Sequence, residues 1–213
     1  LMGFLNVIEL CRHNGVDGLI YASSSSVYGG NTKTPFSVEH RVDKPLALYG
    51  ATKRANELIA NSYSHLYGLQ TTGLRYFTVY GPWGRPDMAM YIFIRKIMAG
   101  ESIPVFNHGN MKRDFTYIDD IISGTRASID KNFKCEIFNL GNHKSEQLMD
   151  VVALIEHYLG KKAEINFLPM QPGDVPESFA DIDHSQDKLG FYPKTSIVEG
   201  IPKLVEWYKS YYQ

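Results

Sequence analysis

Helical and strand periodicities alternate along this chain, and that alternation narrows its possible folds more than any other feature of the sequence. The opening segment LMGFLNVIELCRHNG carries apolar residues at helical spacing and stops at Gly15; GLIYAS follows as a short apolar strand with hydroxyls at its far end. A polar loop through NTKTPFSVEHRVDKP leads to a long helix from about Leu48 to Leu66. TTGLRYFTV then makes a second strand, which runs into the Gly- and Pro-rich stretch YGPWGRP. Next come a helix near Met88 to Ala99, a strand at SIPVF with a turn at NHGN, and RDFTYIDD leading into a helix through about Ile129. KCEIFNLG reads as a strand, SEQLMDVVALIEHYLG as a helix with Ser145 as its N-cap, and AEINFLP as another strand. MQPGDVPESFADID is a loop entering a short strand, and SIVEGIPKLVEWYKSYY closes the chain as an amphipathic helix. Such βα alternation predicts an α/β fold with a mostly parallel sheet flanked by helices. Sheets of this kind carry their ligands at the carboxyl ends of the strands, which is where the serines of YASSSSVYGG stand.

A length of 213 residues, 44% apolar and 21% charged, suits one globular domain of ordinary size or a larger domain with a piece missing. The formal charge of -1 gives no support for a nucleic-acid or anionic-membrane partner. No signal peptide is visible, and no apolar run approaches the roughly 20 residues needed to cross a bilayer. Cys11 and Cys135 stand apart and read as reduced, which points to a cytoplasmic location. The histidines are scattered without zinc spacing, so no metal is expected. Longer loops and smaller elements fill the last third. Residues 1–81 are therefore expected to form one unit, and residues 82–213 mainly a smaller lobe whose strands and helices partly return to the first.

Tyr49 and Lys53 lie four residues apart on the long predicted helix and so share a face. A lysine ammonium beside a phenol favours the phenolate, which lets the tyrosine act as a general base. With the serine hydroxyls completing a proton path, the set suits an enzyme that oxidises and reduces a carbinol carbon. Either signal also occurs without function: a Tyr-x-x-x-Lys pair in an ordinary helix, a serine run in a surface turn. Their order raises the functional reading, because a strand end carrying hydroxyls, a loop and a helix beginning near the tyrosine bring both groups to one sheet edge.

The segments YASSSSVYG, YGATKRANE, LRYFTVYGPWGRPDMA, KRDFTYIDDI and QPGDVPESFAD resemble, in that order, the extended short-chain dehydrogenase/reductase family. Within it they are most similar to the NAD-dependent nucleotide-sugar epimerases, nearest to the UDP-glucuronate 4-epimerases, and the likeness runs from Leu1 to Tyr212. The resemblance implies a Rossmann-like sheet, NAD as cofactor, a UDP-sugar as substrate, and a homodimer formed through the helices beginning near Leu1 and Leu48. By motif, Tyr49 is the general base, Lys53 assists it and holds the nicotinamide ribose, and Ser24 is the catalytic serine. Ser25 and Ser26 would bond the sugar, although four consecutive serines leave the count ambiguous by one or two positions. Tyr76 and Phe77 would approach the nicotinamide, and Thr78, where many UDP-glucose epimerases have asparagine, the sugar. Arg85 offers a fork suited to a planar carboxylate at C6; its bland reading is a surface loop arginine. Val105, Phe106 and Asn107 would line the uracil, Arg113 would bind the diphosphate, and Gln171 and Asp174 would meet the uridine ribose. Asp114, Asp119 and Asp120 read as anchors of the following helix, where acids meet favourable backbone dipoles. Trp83, Tyr91 and Phe93 suit core and ligand contact equally.

The reaction so implied is a reversible C4 epimerisation of UDP-glucuronate through a 4-keto sugar. Members of the family begin with a strand, a glycine-rich turn and a helix whose amides hold the NAD pyrophosphate. None of that pattern is in these 213 residues, so the sheet is expected to lack its N-terminal strands. Three readings stay open: the UDP-glucuronate 4-epimerase; the same fold acting as a UDP-glucose or UDP-N-acetylhexosamine epimerase or a UDP-glucuronate decarboxylase; and an inactive remnant or nucleotide-sugar-binding protein.

Overall fold

In a computed structural model, which describes residues 1–212, the chain runs α1 (Met2–His13), β1 (Gly18–Ser24), α2 (Leu48–Tyr67), β2 (Gln70–Tyr76), β3 (Thr78–Tyr80), α3 (Ala89–Ala99) and β4 (Ile103–Val105). It continues β5 (Lys112–Arg113), β6 (Phe115–Tyr117), α4 (Ile118–Lys131), β7 (Cys135–Leu140), β8 (Glu146–Gln147), α5 (Leu148–Leu159), β9 (Ile165–Phe167), β10 (Glu177–Ser178), α6 (Asp183–Leu189) and α7 (Ile197–Tyr212). The principal sheet is parallel with strand order β1-β2-β7. Ser24 pairs with Tyr76 and Tyr76 with Leu140, so all three carboxyl ends meet along one edge.

Alternation along the strands decides what each face buries. Tyr21 and Ile137 point toward α1 and α2 and pack with Ile8 and Ala60. Gly73 stands between them in register because a Cβ there would come within 2.6 Å of the Tyr21 hydroxyl. Leu74, Phe138 and Leu140 fill the opposite face with Ile121 of α4 and with Leu189 and Phe191 at the end of α6. Strand β7 and helices α4 and α6, all from beyond residue 82, thus pair with or pack on this sheet. The second core gathers α3, α5 and α7 around β4 and β6. Small sheets frame it: β3 parallel to β6, β4 parallel to β9, and β5 between a parallel β10 and an antiparallel β8.

Three local expectations are corrected. The strand expected over TTGLRYFTV divides at Phe77, whose N–H donates to Leu140 O (3.0 Å), whereas Thr78 N–H donates to Asp114 O (3.1 Å). The chain thereby steps from the principal sheet to β3, beside β6. Ser145 does not cap α5: its hydroxyl donates to Glu177 (2.6 Å), residues 146–147 pair with β5, and the helix starts at Leu148. The segment after β10 contains a further short helix, α6, whose largely polar sequence gave no apolar period. Among the described residues no helix is long and apolar enough to cross a membrane, and no cluster of His, Cys, Asp and Glu could hold a metal ion.

Candidate active site

The end of β1 separates the four serines by the face each presents. Ser23 is buried and donates its hydroxyl to Glu57 of α2 at 2.6 Å. Ser24 turns the other way. Its Oγ accepts the Ser26 N–H (3.2 Å) and so caps a short turn over Ser25–Tyr28. Ser24, Ser25 and Ser26 line a cleft, and Ser23, which also reaches its wall, has its hydroxyl committed to Glu57.

α2 begins immediately beside that turn. Gly50 is buried there, and a Cβ on it would lie 2.4 Å from the Ser26 carbonyl oxygen, so only glycine allows this approach of helix to turn. Tyr49, the preceding residue, is half exposed and faces the cleft. Lys53, one turn on, donates from Nζ to Ala22 O at 3.0 Å, and its ammonium lies 5.6 Å from the centre of the Tyr49 ring. The cleft, about 580 Å³, is closed on its far side by Phe77, Thr78, Trp83 and Arg85. Tyr76 borders it with its hydroxyl paired to Thr125 Oγ1 (3.0 Å), and burial raises the pKa of that phenol. Arg85 is exposed and forms a fork with Asp87, Nε to Oδ1 at 3.0 Å, which raises the pKa of the guanidinium.

A smaller recess of about 170 Å³ shares Ser25, Ser26 and Thr78 with the cleft and extends to Arg113, Gly173 and Asp174. Arg113 and Asp174, which sequence placed at different parts of a ligand, bond each other at 2.6 Å. Burial lowers the Arg113 pKa despite that partner. Gln171 is exposed on the same loop, and its carbonyl accepts the Asp174 N–H. Val105, Phe106 and Asn107 line neither cavity. Val105 is fully buried in the second core because strand alternation turns it inward. Asn107 adopts a left-handed backbone and bonds Asn110 O (2.7 Å) within its own turn. Tyr91 and Phe93 are core residues, whereas Trp83 is exposed and packs on Trp207 and Tyr211.

Of two buried polar centres, one escaped the sequence reading and the other has a different role from the one expected. Beneath the cleft, Arg75 of β2 grips Glu57 with both arms, Nε to Oε1 at 2.8 Å and Nη2 to Oε2 at 2.9 Å. Arg75 also donates to the Tyr28 hydroxyl (3.0 Å), which donates to Asn139 Oδ1 (2.7 Å). Burial alone would raise the Glu57 pKa, but the bonds from Arg75, Ser23 and Arg54 outweigh it and hold it below the usual carboxylate value. An arginine in the middle of an apolar strand was the visible signal. The second centre is Asp114, fully buried, which accepts backbone N–H groups from Asn142, His143 and Ala180 and the Thr116 hydroxyl. It ties three segments together rather than anchoring α4. Asp120 likewise accepts from Lys194 and Thr195 N–H and fixes the approach to α7, while Asp119 keeps a place in the first turn of α4.

A family model described as the NAD dependent epimerase/dehydratase family matches residues 1–141. An uncharacterised protein of Methanocaldococcus jannaschii is 54% identical over 207 residues, spanning 97% of this chain and 64% of that protein. UDP-glucuronate 4-epimerase 4 of Arabidopsis thaliana is 46% identical, and the match takes in 100% of this chain and 53% of that one. The chain thus spans less than two thirds of the length of either relative. Among solved structures, a UDP-glucuronic acid 4-epimerase from Bacillus cereus in complex with UDP-glucuronic acid and NAD superposes with a TM-score of 0.91 at 34% identity, over 99% of this chain and 67% of that one.

Proposed function

Because this chain belongs to the NAD dependent epimerase/dehydratase family, we propose that it carries the catalytic part of an enzyme interconverting UDP-glucuronate and UDP-galacturonate at C4. The observation that carries this reading is the convergence of Tyr49 and Ser24 in one cleft with Arg85 at the carboxyl edge of β1, with Lys53 bonded to Ala22 beside the Tyr49 ring. Tyr49 takes the proton from the sugar 4-hydroxyl, and Ser24 bonds the same oxygen. Lys53, fixed by the Ala22 carbonyl, places a positive charge where negative charge develops on the phenol oxygen. The 4-keto sugar turns over within the cleft, and Tyr49 returns the proton when C4 is reduced on its other face. No net oxidation results.

The ammonium, phenol and hydroxyl donors at this edge fit the nicotinamide-ribose end of NAD, with Tyr49, Lys53, Tyr76 and Phe77 as the residues that would hold it. Bound NAD supplies the hydride acceptor and donor. A glycine-rich strand-turn-helix for the pyrophosphate is not among the described residues. β1 is an edge strand of the principal sheet. Ser25, Ser26 and Thr78 would hold the sugar. The recess would take the diphosphate at Arg113, with Asp174 and Gln171 toward the ribose. Arg85 favours a uronate: its pairing with Asp87 is exposed and screened by solvent, and a substrate carboxylate can replace it. The proposal includes a division into a cofactor-binding part, residues 1–81, and a mainly sugar-nucleotide-binding part, residues 82–213, in a cytoplasmic enzyme. Exposed Leu10, Leu58 and Leu66 on α1 and α2 support pairing of two copies through these helices.

Tyr49→Phe tests the chemistry. Supplied with NAD and followed by NMR of the two UDP-sugars, the variant should lose at least about 10²-fold in interconversion. UDP binding by calorimetry should persist. Unchanged turnover would refute Tyr49 as the base.

A further inference from the structure

We infer that Glu57 and Arg75 are positioning residues for the catalytic pair: their ion pair beneath the cleft fixes the register of α2 against β1, and so sets where Lys53 and Tyr49 stand relative to Ser24. The inference rests on the epimerase reading above and adds residues that touch neither substrate nor cofactor.

Tyr49, Lys53 and Glu57 follow at intervals of four and occupy one face of α2 on successive turns. Lys53 grips β1 at the Ala22 carbonyl (3.0 Å), and Glu57 grips it at the next residue, Ser23 (2.6 Å). Ser24 comes directly after. Ser23, Arg75 and Asn139 are register partners across β1, β2 and β7, one residue short of the sheet's carboxyl edge. A single polar row therefore runs under the site, and α2 is bolted to it through Glu57.

Stability alone does not account for charges in this place. Apolar residues of similar volume commonly replace a buried ion pair without loss, and often with gain. What apolar packing does not reproduce is direction. A two-armed guanidinium–carboxylate contact fixes distance and plane together. Here both carboxylate oxygens are engaged, one by Ser23 and Arg75 and the other by Arg75 and Arg54 (3.0 Å). Arg75 is held in turn by Tyr28. Neither α2 nor β2 can slide without breaking several of these bonds.

The decisive variants are Glu57→Asp, which keeps the charge but shortens the arm by one methylene, and Ser23→Ala, which removes one bond and leaves the ion pair whole. A displacement of about 1 Å at the reacting groups costs on the order of 10²-fold, so Glu57→Asp should lower kcat by that factor with KM unchanged. Ser23→Ala should move kcat in the same direction by less. In parallel, a limiting amine-reactive reagent with peptide mapping reads the Lys53–Ala22 bond without any need for activity. Labelling of Lys53 should rise about fivefold, the factor of one lost hydrogen bond, while Lys33 and Lys144 stay at the wild-type level. Wild-type kcat and wild-type Lys53 labelling in folded variants would overturn the inference, and so would a uniform rise at all lysines, which marks general loosening. If Glu57→Asp does not fold, Ser23→Ala decides alone. An inactive wild-type protein would sink the epimerase reading, yet Lys53 labelling would still tell whether Glu57 positions α2.

Discussion

Gly50→Ala should separate stability from catalysis more sharply than any substitution of a catalytic group. The added Cβ would stand 2.4 Å from the Ser26 carbonyl oxygen, 3.0 Å from its carbon and 3.3 Å from Pro45 Cβ, where ordinary contact begins at 3.4 Å. Helix and serine turn must therefore part by about 1 Å, because the obstacle is backbone and no side-chain rotation relieves it. Two contributions to stability oppose each other. Alanine in place of glycine favours the helix by about 1 kcal/mol, and overpacking costs about 1–3 kcal/mol. The net loss is about 0–2 kcal/mol, which leaves an ordinary domain folded. Catalysis has no compensating gain. A displacement of about 1 Å between Tyr49 and Ser24 costs on the order of 10²-fold in rate, close to 3 kcal/mol of barrier. The assay pairs urea unfolding with NMR interconversion of UDP-glucuronate and UDP-galacturonate in the presence of NAD, resolved into kcat and KM. A folded Gly50→Ala protein with wild-type kcat would show that the approach of α2 to the serine turn has no bearing on the chemistry.

Two further outcomes can be checked directly. Arg85→Gln should raise KM for UDP-glucuronate by about 10- to 100-fold, the range for one charged hydrogen-bonded contact, and leave binding of UDP-glucose near the wild-type value; equal loss for both sugars would remove Arg85 from carboxylate recognition. Burial lifts the Asp114 carboxyl from 3.8 to about 6, against four donors that favour its charged form. A folded pKa above the unfolded one means that stability from this group is full below pH 4 and is lost as pH rises through 6. The stability difference between the wild type and Asp114→Asn, which does not titrate, should therefore shift by about 2 kcal/mol against the wild type between pH 4 and pH 6.5. A difference that stays flat over that interval means that the amides, not burial, govern the carboxyl.

Local pattern was enough for the sheet and most helices, because apolar spacing reports directly which face is buried. The shared face of Tyr49 and Lys53 also follows from helix geometry alone. What failed were features decided by distant partners. Ser23 and Ser24 differ in surroundings through the alternation of β1, and only pairing with β2 fixes which one faces α2. Ser145 looked like a helix cap until Glu177 claimed its hydroxyl. Arg113 and Asp174, 61 residues apart, were assigned separately because nothing in either segment names the other. Val105 was read as a ligand contact from its segment, although its position in a strand turns it into the core.

The same division between local and distant information explains how the site is built. In the proposed site, a phenol and a hydroxyl on separate elements are held at a working distance only by contacts that fix those elements to each other. Besides the Lys53 bond to Ala22, α2 is fixed to the strand and turn that carry Ser24 by contact at Gly50, where the absence of a side chain lets backbone meet backbone, and by the Glu57 bolt two turns on. Each is short and polar or sterically hard, so neither yields gradually. Lys53 lies between them, which is why its bond to Ala22 reports on both. A chain that keeps Tyr-x-x-x-Lys and the serines but replaces either fixing should retain the fold and bind UDP, yet turn over slowly. Restoring glycine or glutamate at that one position should recover the rate without any change at a group that meets the substrate.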